Sequence, residues 1–300
     1  MARRFPRVMG LAKMCSNRKI SFKSLDPPSS LTHGIHIFHC PDAVGIVAKL
    51  SECIASRGGN ILAADVFVPE NKQVFYSRSD FVFDPVKWPR VQMEEDFLKL
   101  SQTFNAIRSV VRVPALDPKY KIAVLASKQD HCLVDLLHGW QDGRFPVDIT
   151  CVIRDFDDWA YSLNLGASGK NWLFSAIDLY AKILSGNFLR SYGNDIINIH
   201  HGLLPSFKGG SPSKQAFEAG VKLIGATSHF VTEELDAGPI IEQMVSIQSF
   251  ILVERVSHRD NLQSFVQKSE NLEKQCLSKA IRSYCELRVL PYEENKTVVF

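Results

Sequence analysis

The sequence predicts an α/β protein in two units: a βαββαβ plait near the front, then a doubly wound parallel sheet. Two observations carry this. A strand, helix, strand, strand, helix, strand order fills the stretch after Pro27–Ser30, and from Lys121 onward short apolar runs alternate with helices. A linker at 108–120, ending in Asp-Pro-Lys-Tyr-Lys, separates the two patterns.

In the front unit, 31–115, Gly34–His39 alternates as a strand. Asp42 stands where an N-cap belongs, and Ile46, Val47, Leu50 and Ile54 line one face of the helix that follows. Gly58-Gly59 ends it, because glycine takes the left-handed conformation without steric cost. Strands are expected at Asn60–Val68, Val74–Phe83 and Ser109–Pro114, with a polar helix near Val91–Phe104. The order is that of a ferredoxin-like plait. No nucleophile, base and acid cluster within it, so it reads as a binding or regulatory module.

The second unit, 120–300, opens with Lys121–Ala126, an apolar run of the kind a parallel strand covered on both faces requires. A helix at His131–Gly139 and strands at Val147–Ile153, Asp195–Ile199, Leu223–Val231 and Ile240–Val245 follow. A further helix starts at Pro212. A long charged helix from Asp260 to about Glu286 and a hairpin-like end at Arg288–Phe300 close the chain.

Composition excludes several classes. The apolar fraction of 45% with 22% charged residues is that of a globular protein, and a net charge of +3 is too small to argue for nucleic acid. No apolar run approaches the roughly 20 residues that span a bilayer. Seven scattered cysteines without a C-x-x-C pair argue against a disulfide framework and a structural zinc site. The first 25 residues hold seven Lys or Arg and no acid, and Phe5, Val8, Met9 and Ala12 share a helical face. A basic, amphipathic, acid-free start predicts a mitochondrial transit peptide within 1–30, with a disordered basic tail as the plainer alternative.

Two segments carry chemistry. The first is Asn198-Ile199-His200-His201-Gly202-Leu203-Leu204-Pro205-Ser206-Phe207-Lys208-Gly209-Gly210, a buried strand running into a glycine-rich loop. Ligands of open α/β sheets sit at the carboxyl ends of strands. Residues two apart on a strand share a face, so Asn198 and His200 point one way and His201 the other. An amide donor beside an imidazole suits a developing oxyanion. The second segment, Gly225 to Pro239, ends a strand in an acidic turn, from which Asp236 is placed to face His200 and fix its tautomer or order a water. Plainer readings exist for each residue. Asn198 and His200 could satisfy strand-end backbone, and Asp236 could be turn chemistry. The vicinal histidines diverge and lack metal-motif partners, Lys208-Gly209-Gly210 lacks phosphate-loop spacing, and Cys132 reads as a core thiol.

Together, in this order, the Asn-x-His, Leu-Pro, Gly-rich loop and Leu-Asp-x-Gly-Pro elements resemble the formyltetrahydrofolate-dependent transformylase family. Within it, the His200-His201 doublet and the leading segment Phe38–Val47 are most similar to the deformylase branch, whose front unit is an ACT domain. The resemblance covers about Leu31 to Phe300. It implies a catalytic trio of Asn198, His200 and Asp236, with His201, Gly202, Leu204, Pro205, Lys208, Gly209 and His229 around the substrate. It also implies hydrolysis of 10-formyltetrahydrofolate to formate and tetrahydrofolate, in one-carbon metabolism and purine biosynthesis. The folate is the substrate, and no cofactor or metal is expected. Further implied are a homo-oligomer and an amino-acid effector at the front unit, without nucleic-acid or membrane partners. The alternatives are formyl transfer to an amine and an inactive folate- or amino-acid-binding variant.

Two departures stand out. Between about Ile153 and Asp195 some 40 residues remain, where the resemblance implies two further β-α units and a crossover alone takes a dozen or more. Only Leu173–Leu184 could supply the strand that helps wall the pterin pocket, and Asp178 and Lys182 interrupt it. Ser246–Val253 reads as an apolar insertion. The shortening predicts weakened folate affinity or lost activity.

Overall fold

The chain begins its described course with a strand covered on both sides. The computed structural model describes residues 31–126, 131–153, 172–177, 186–245, 247–248, 252–253 and 259–300. The expected transit peptide within 1–30, the acidic stretch Asp155–Gly169, Asp178 with Lys182, and most of Ser246–Val253 lie outside these residues.

Strand β1 (Thr32–Pro41) is followed by α1 (Ile46–Ser56), β2 (Asn60–Phe67), β3 (Val74–Phe83), α2 (Arg90–Thr103) and β4 (Arg108–Arg112). The four strands form an antiparallel sheet in the order β2-β3-β1-β4, the ferredoxin-like arrangement expected. Alternation along β1 sends Phe38 and Cys40 toward α1 and α2, where they pack with Ile46, Leu50, Ile54, Phe81, Trp88 and Phe97. Ile35 and Ile37 face the opposite way and pack against Leu287, Leu290 and Val298 from the end of the chain. This plait therefore has both faces covered. Asp42 does not cap α1. The cap is Gly45 at φ 92, a left-handed geometry that places the turn three residues later than an aspartate cap would. Gly58, at φ 74, ends the helix as expected.

The second sheet has six strands, β5 (Tyr120–Ala126), β6 (Val147–Ile153), β7 (Trp172–Ile177), β8 (Ile196–His200), β9 (Gly225–Phe230) and β10 (Ile240–Val245). Their order is β10-β9-β8-β7-β5-β6. The run β6, β5, β7, β8 is parallel, as the apolar strands predict, while β9 and β10 turn antiparallel at the edge. Helices α3 (His131–Gln141), α5 (Pro212–Glu218) and α6 (Leu262–Cys285) contribute to the core on one face, with Ile122, Val124 and Ala126 of β5. On the other face Ala123 and Leu125 meet α4 (Gly186–Tyr192). Strand β7 covers the apolar first part of the candidate strand Leu173–Leu184, whose remainder lies outside the described residues. A short ribbon, β11 (Ile247–Gln248) with β12 (Leu252–Val253), precedes α6. At the start of α6 Asn261 and Ser264 form a capping box, which stabilises a helix by about 1 kcal/mol. The closing hairpin β13 (Val289–Pro291) and β14 (Thr297–Val299) is the one that lies on the front sheet.

One buried group in the plait makes its stability pH-dependent. His36 stacks on Phe97 at 3.8 Å and is bonded to Ser109 Oγ at 3.0 Å. Burial pushes its pKa from 6.5 down to about 3. The folded state thus binds the proton less readily than the unfolded chain. His36 contributes its full share of stability above pH 6.5, and that share declines as the pH falls toward 3. Urea titrations of the wild type and His36→Asn at pH 7 and pH 5 are expected to differ. The wild type should lose about 2 kcal/mol more than the variant over that interval.

Candidate active site

The site lies at the carboxyl end of β8 and is built by its antiparallel pairing with β9. The register sets Asn198 across from His229 and His200 across from Thr227. His229 bonds the Phe230 carbonyl through Nδ1 at 2.9 Å, so Nδ1 carries the hydrogen. Burial holds its pKa below the ordinary histidine value, and the ring is neutral. Its Nε2 is then an acceptor, and it takes one N–H of Asn198 at 3.3 Å. The second N–H of Asn198 remains for a ligand, and its Oδ1 is buried without a hydrogen-bond partner among the described residues.

His200 is 4% exposed. Its Nε2 donates to the Phe207 carbonyl at 3.1 Å, and its Nδ1 stands 3.4 Å from Asp236 Oδ2. Burial lowers the His200 pKa to about 4, against the opposing pull of Asp236. The neutral ring therefore turns a lone pair toward a carboxylate, an arrangement that gains energy as soon as a proton arrives between them. Asp236 is held by its own backbone, at φ 51, and by the Gly209 N–H, which donates to Oδ2 at 2.8 Å. Gly209 itself has φ 81, where a side chain would be strained. Asp236 Oδ1 lies 3.7 Å from His229 Nε2, so one carboxylate faces both imidazoles.

The loop after β8 is tied to β9 through Thr227, whose hydroxyl donates to the Gly202 carbonyl at 2.7 Å and accepts from the Leu204 N–H at 3.1 Å. Gln243 of β10 donates to the Leu204 carbonyl at 2.7 Å. A cleft of about 800 Å³ opens over this loop. Leu204, Pro205, Lys208, Asp236, Gly238 and Glu294 are among its lining residues. Lys208 reaches Glu234 at 3.5 Å.

The structure thus brings Asn198, His200, Asp236 and His229 together and sets Leu204, Pro205, Lys208 and Gly209 beside them. Two of the expected substrate residues lie away from the cleft. His201 and Gly202 border a gap of only about 20 Å³ behind the strand, because alternation turns His201 toward α6. There His201 Nδ1 meets Glu273 Oε2 at 2.7 Å, and His131 Nε2 meets the same oxygen at 2.6 Å. Burial would raise the Glu273 pKa, yet these ring N–H groups hold it at about 2. Sequence reasoning missed Glu273 and Thr227. A signal existed for Glu273: it is a lone carboxylate on the helical face formed by Phe265, Ser269, Leu272 and Cys276. Cys132 is a core thiol, fully buried, with its pKa pushed upward by that burial.

Residues 174–281 match the Formyl transferase family model. The chain is 59% identical to "Formyltetrahydrofolate deformylase 1, mitochondrial" of Arabidopsis thaliana, over 98% of each chain. This chain belongs to the formyltetrahydrofolate deformylase family. A solved deformylase from Pseudomonas syringae is 34% identical, covers 90% of this chain and 94% of its own, and superposes with a TM-score of 0.74. A glycinamide ribonucleotide transformylase from Symbiobacterium toebii is 26% identical with a TM-score of 0.53, and covers only 61% of this chain against 95% of its own. The deformylase match thus extends over much more of the chain. The Arabidopsis alignment runs over 324 positions while 98% of the 300 residues here take part, so about 30 positions of the relative lack a counterpart, in keeping with the shortening read from the sequence.

The turn that carries Asp236 tolerates no side chain at Gly238, where an added Cβ would sit 1.8 Å from the Phe230 carbonyl oxygen. Gly238→Ala is expected to displace the turn, lower the melting temperature by several degrees and remove most activity. Thermal unfolding followed by circular dichroism, together with an activity assay, checks this.

Proposed function

We propose that the chain hydrolyses the formyl group of 10-formyltetrahydrofolate to formate and tetrahydrofolate, in the mitochondrion. The observation that carries the reading is one carboxylate, Asp236, that lines the 800 Å³ cleft and faces the neutral rings of His200 and His229, the latter bonded to the Asn198 amide. The two Arabidopsis relatives, both mitochondrial deformylases, support the compartment and the reaction.

In this reading water attacks the formyl carbon. The free N–H of Asn198 stabilises the tetrahedral oxyanion, joined by the His200 ring once its Nδ1 has taken the water's proton, and Asp236 orders the water and balances the charge on His200. The proton lost by the water is taken up at the His200 Nδ1–Asp236 pair and delivered to the departing amine nitrogen as the C–N bond breaks. The front plait serves as an ACT-like regulatory unit with an amino-acid effector, and copies of the chain associate through it.

Formate release by the purified chain tests the proposal. Asn198→Ala is expected to lower kcat roughly 10²- to 10³-fold, the usual cost of losing one oxyanion donor. Unchanged turnover in both Asn198→Ala and His200→Ala would sink the assignment. Activity should fall as the pH drops toward about 4, because a protonated His200 cannot accept the water's proton. The shortening between Ile153 and Asp195 should raise KM for the folate relative to a full-length relative measured side by side.

A further inference from the structure

We propose that Glu273 is a positioning residue: from helix α6 it grips His201 behind the strand and thereby sets where the His200 ring stands. This rests on the hydrolytic reading above, and it concerns a residue that touches no part of the cleft.

The carboxylate of Glu273 is 2% exposed. One oxygen accepts from His131 Nε2 at 2.6 Å and from His201 Nδ1 at 2.7 Å, and the other accepts from Ser269 Oγ at 2.7 Å. Three donors from α3, the tip of β8 and α6 converge on it, so the bonds join three elements at one point. A buried carboxylate is tolerated only when its oxygens are satisfied in this way.

The link to chemistry is one peptide long. His200 and His201 are consecutive, and their side chains leave opposite faces of the strand. The rear ring is fixed by Glu273. The peptide beyond it is fixed by Ser213 Oγ, which donates to the His201 carbonyl at 3.3 Å, and by Thr227 Oγ1 on the Gly202 carbonyl. Gly202 is also packed against the front ring, since a Cβ built there would lie 3.3 Å from His200 Nε2. A turn clamped at the back cannot shift without carrying the His200 ring off the Phe207 carbonyl and Asp236.

His131, His201 and Glu273 have the composition of a metal site, with donor atoms within 4.8 Å of one another. The hydrogen bonds argue for the positioning role instead. The 2.6 and 2.7 Å contacts of the two rings to one carboxylate oxygen have the lengths of charge-assisted hydrogen bonds, which a carboxylate between two ring N–H groups makes.

The test uses the full chain and paired substitutions. His201→Asn keeps a donor near the imidazole Nδ1 position, and Glu273→Gln keeps an acceptor oxygen. Both should stay within about threefold of wild-type kcat. His201→Leu and Glu273→Met remove donor or acceptor, and each should lower kcat by roughly 10²-fold with KM changed less than threefold, the signature of a misplaced catalytic group. If Glu273→Met fails to fold, His131→Leu, at the start of α3, replaces it. Histidine ring resonances in ¹⁵N-labelled protein provide a second readout that needs no turnover: those of His200 should move in the Leu and Met variants and hold in the conservative pair. Unmoved His200 resonances, or equal kcat in all four variants, would overturn the proposal. So would one equivalent of zinc retained by the wild type after dialysis and lost in Glu273→Gln. Failure of the wild type to release formate would instead refute the hydrolytic reading and leave the resonance test to decide this one.

Discussion

The antiparallel register of β8 and β9 sets Asn198 against His229 and His200 against Thr227, and each polar contact beneath the cleft follows from that alignment. A slip of one residue would exchange the two faces of β8 and turn His201 into the cleft. Side-chain hydrogen bonds lock the register. The Thr227 hydroxyl joins two backbone groups of the loop after β8, and Gln243 adds a third from β10. All these groups are buried or half-buried, where an unmade hydrogen bond costs about 1–3 kcal/mol.

The same burial prepares the imidazoles. Hydrogen bonds to the backbone carbonyls of Phe207 and Phe230 decide which nitrogen of each ring keeps its hydrogen. With both rings neutral, the fixed charge between them is the Asp236 carboxylate, and the Gly209 N–H orients it. Groups fixed before the substrate arrives need no reorganisation when charge develops. The carboxylate's unusual backbone angle at φ 51 is part of that orientation.

Much of this was legible in the sequence, for physical reasons that differ by element. The apolar run at Lys121–Ala126 announced a strand covered on both faces, and β5 has helices on each side. The residues of the cleft floor were legible because they sit close together in two motifs, where alternation alone assigns faces. Features set by distant contacts were not. Strand direction at β9 depends on how the chain returns after α5, which local periodicity does not encode. Glu273 lies 72 residues beyond His201 and looks like any charge of a long helix until the fold turns it inward. The N-cap of α1 went to Gly45 because a left-handed glycine competed with the side-chain cap expected at Asp42.

The closing hairpin touches both sheets. Leu290 and Val298 pack on the front sheet, Lys72 pairs with Glu293 at 3.4 Å, Thr297 bonds the Ile240 carbonyl at 2.6 Å, and Glu294 and Asn295 form part of the cleft rim. A dozen residues thus act as a beam shared by two rooms. Sliding the front sheet against the large one must tilt the beam, and the mouth of the cleft changes shape with it.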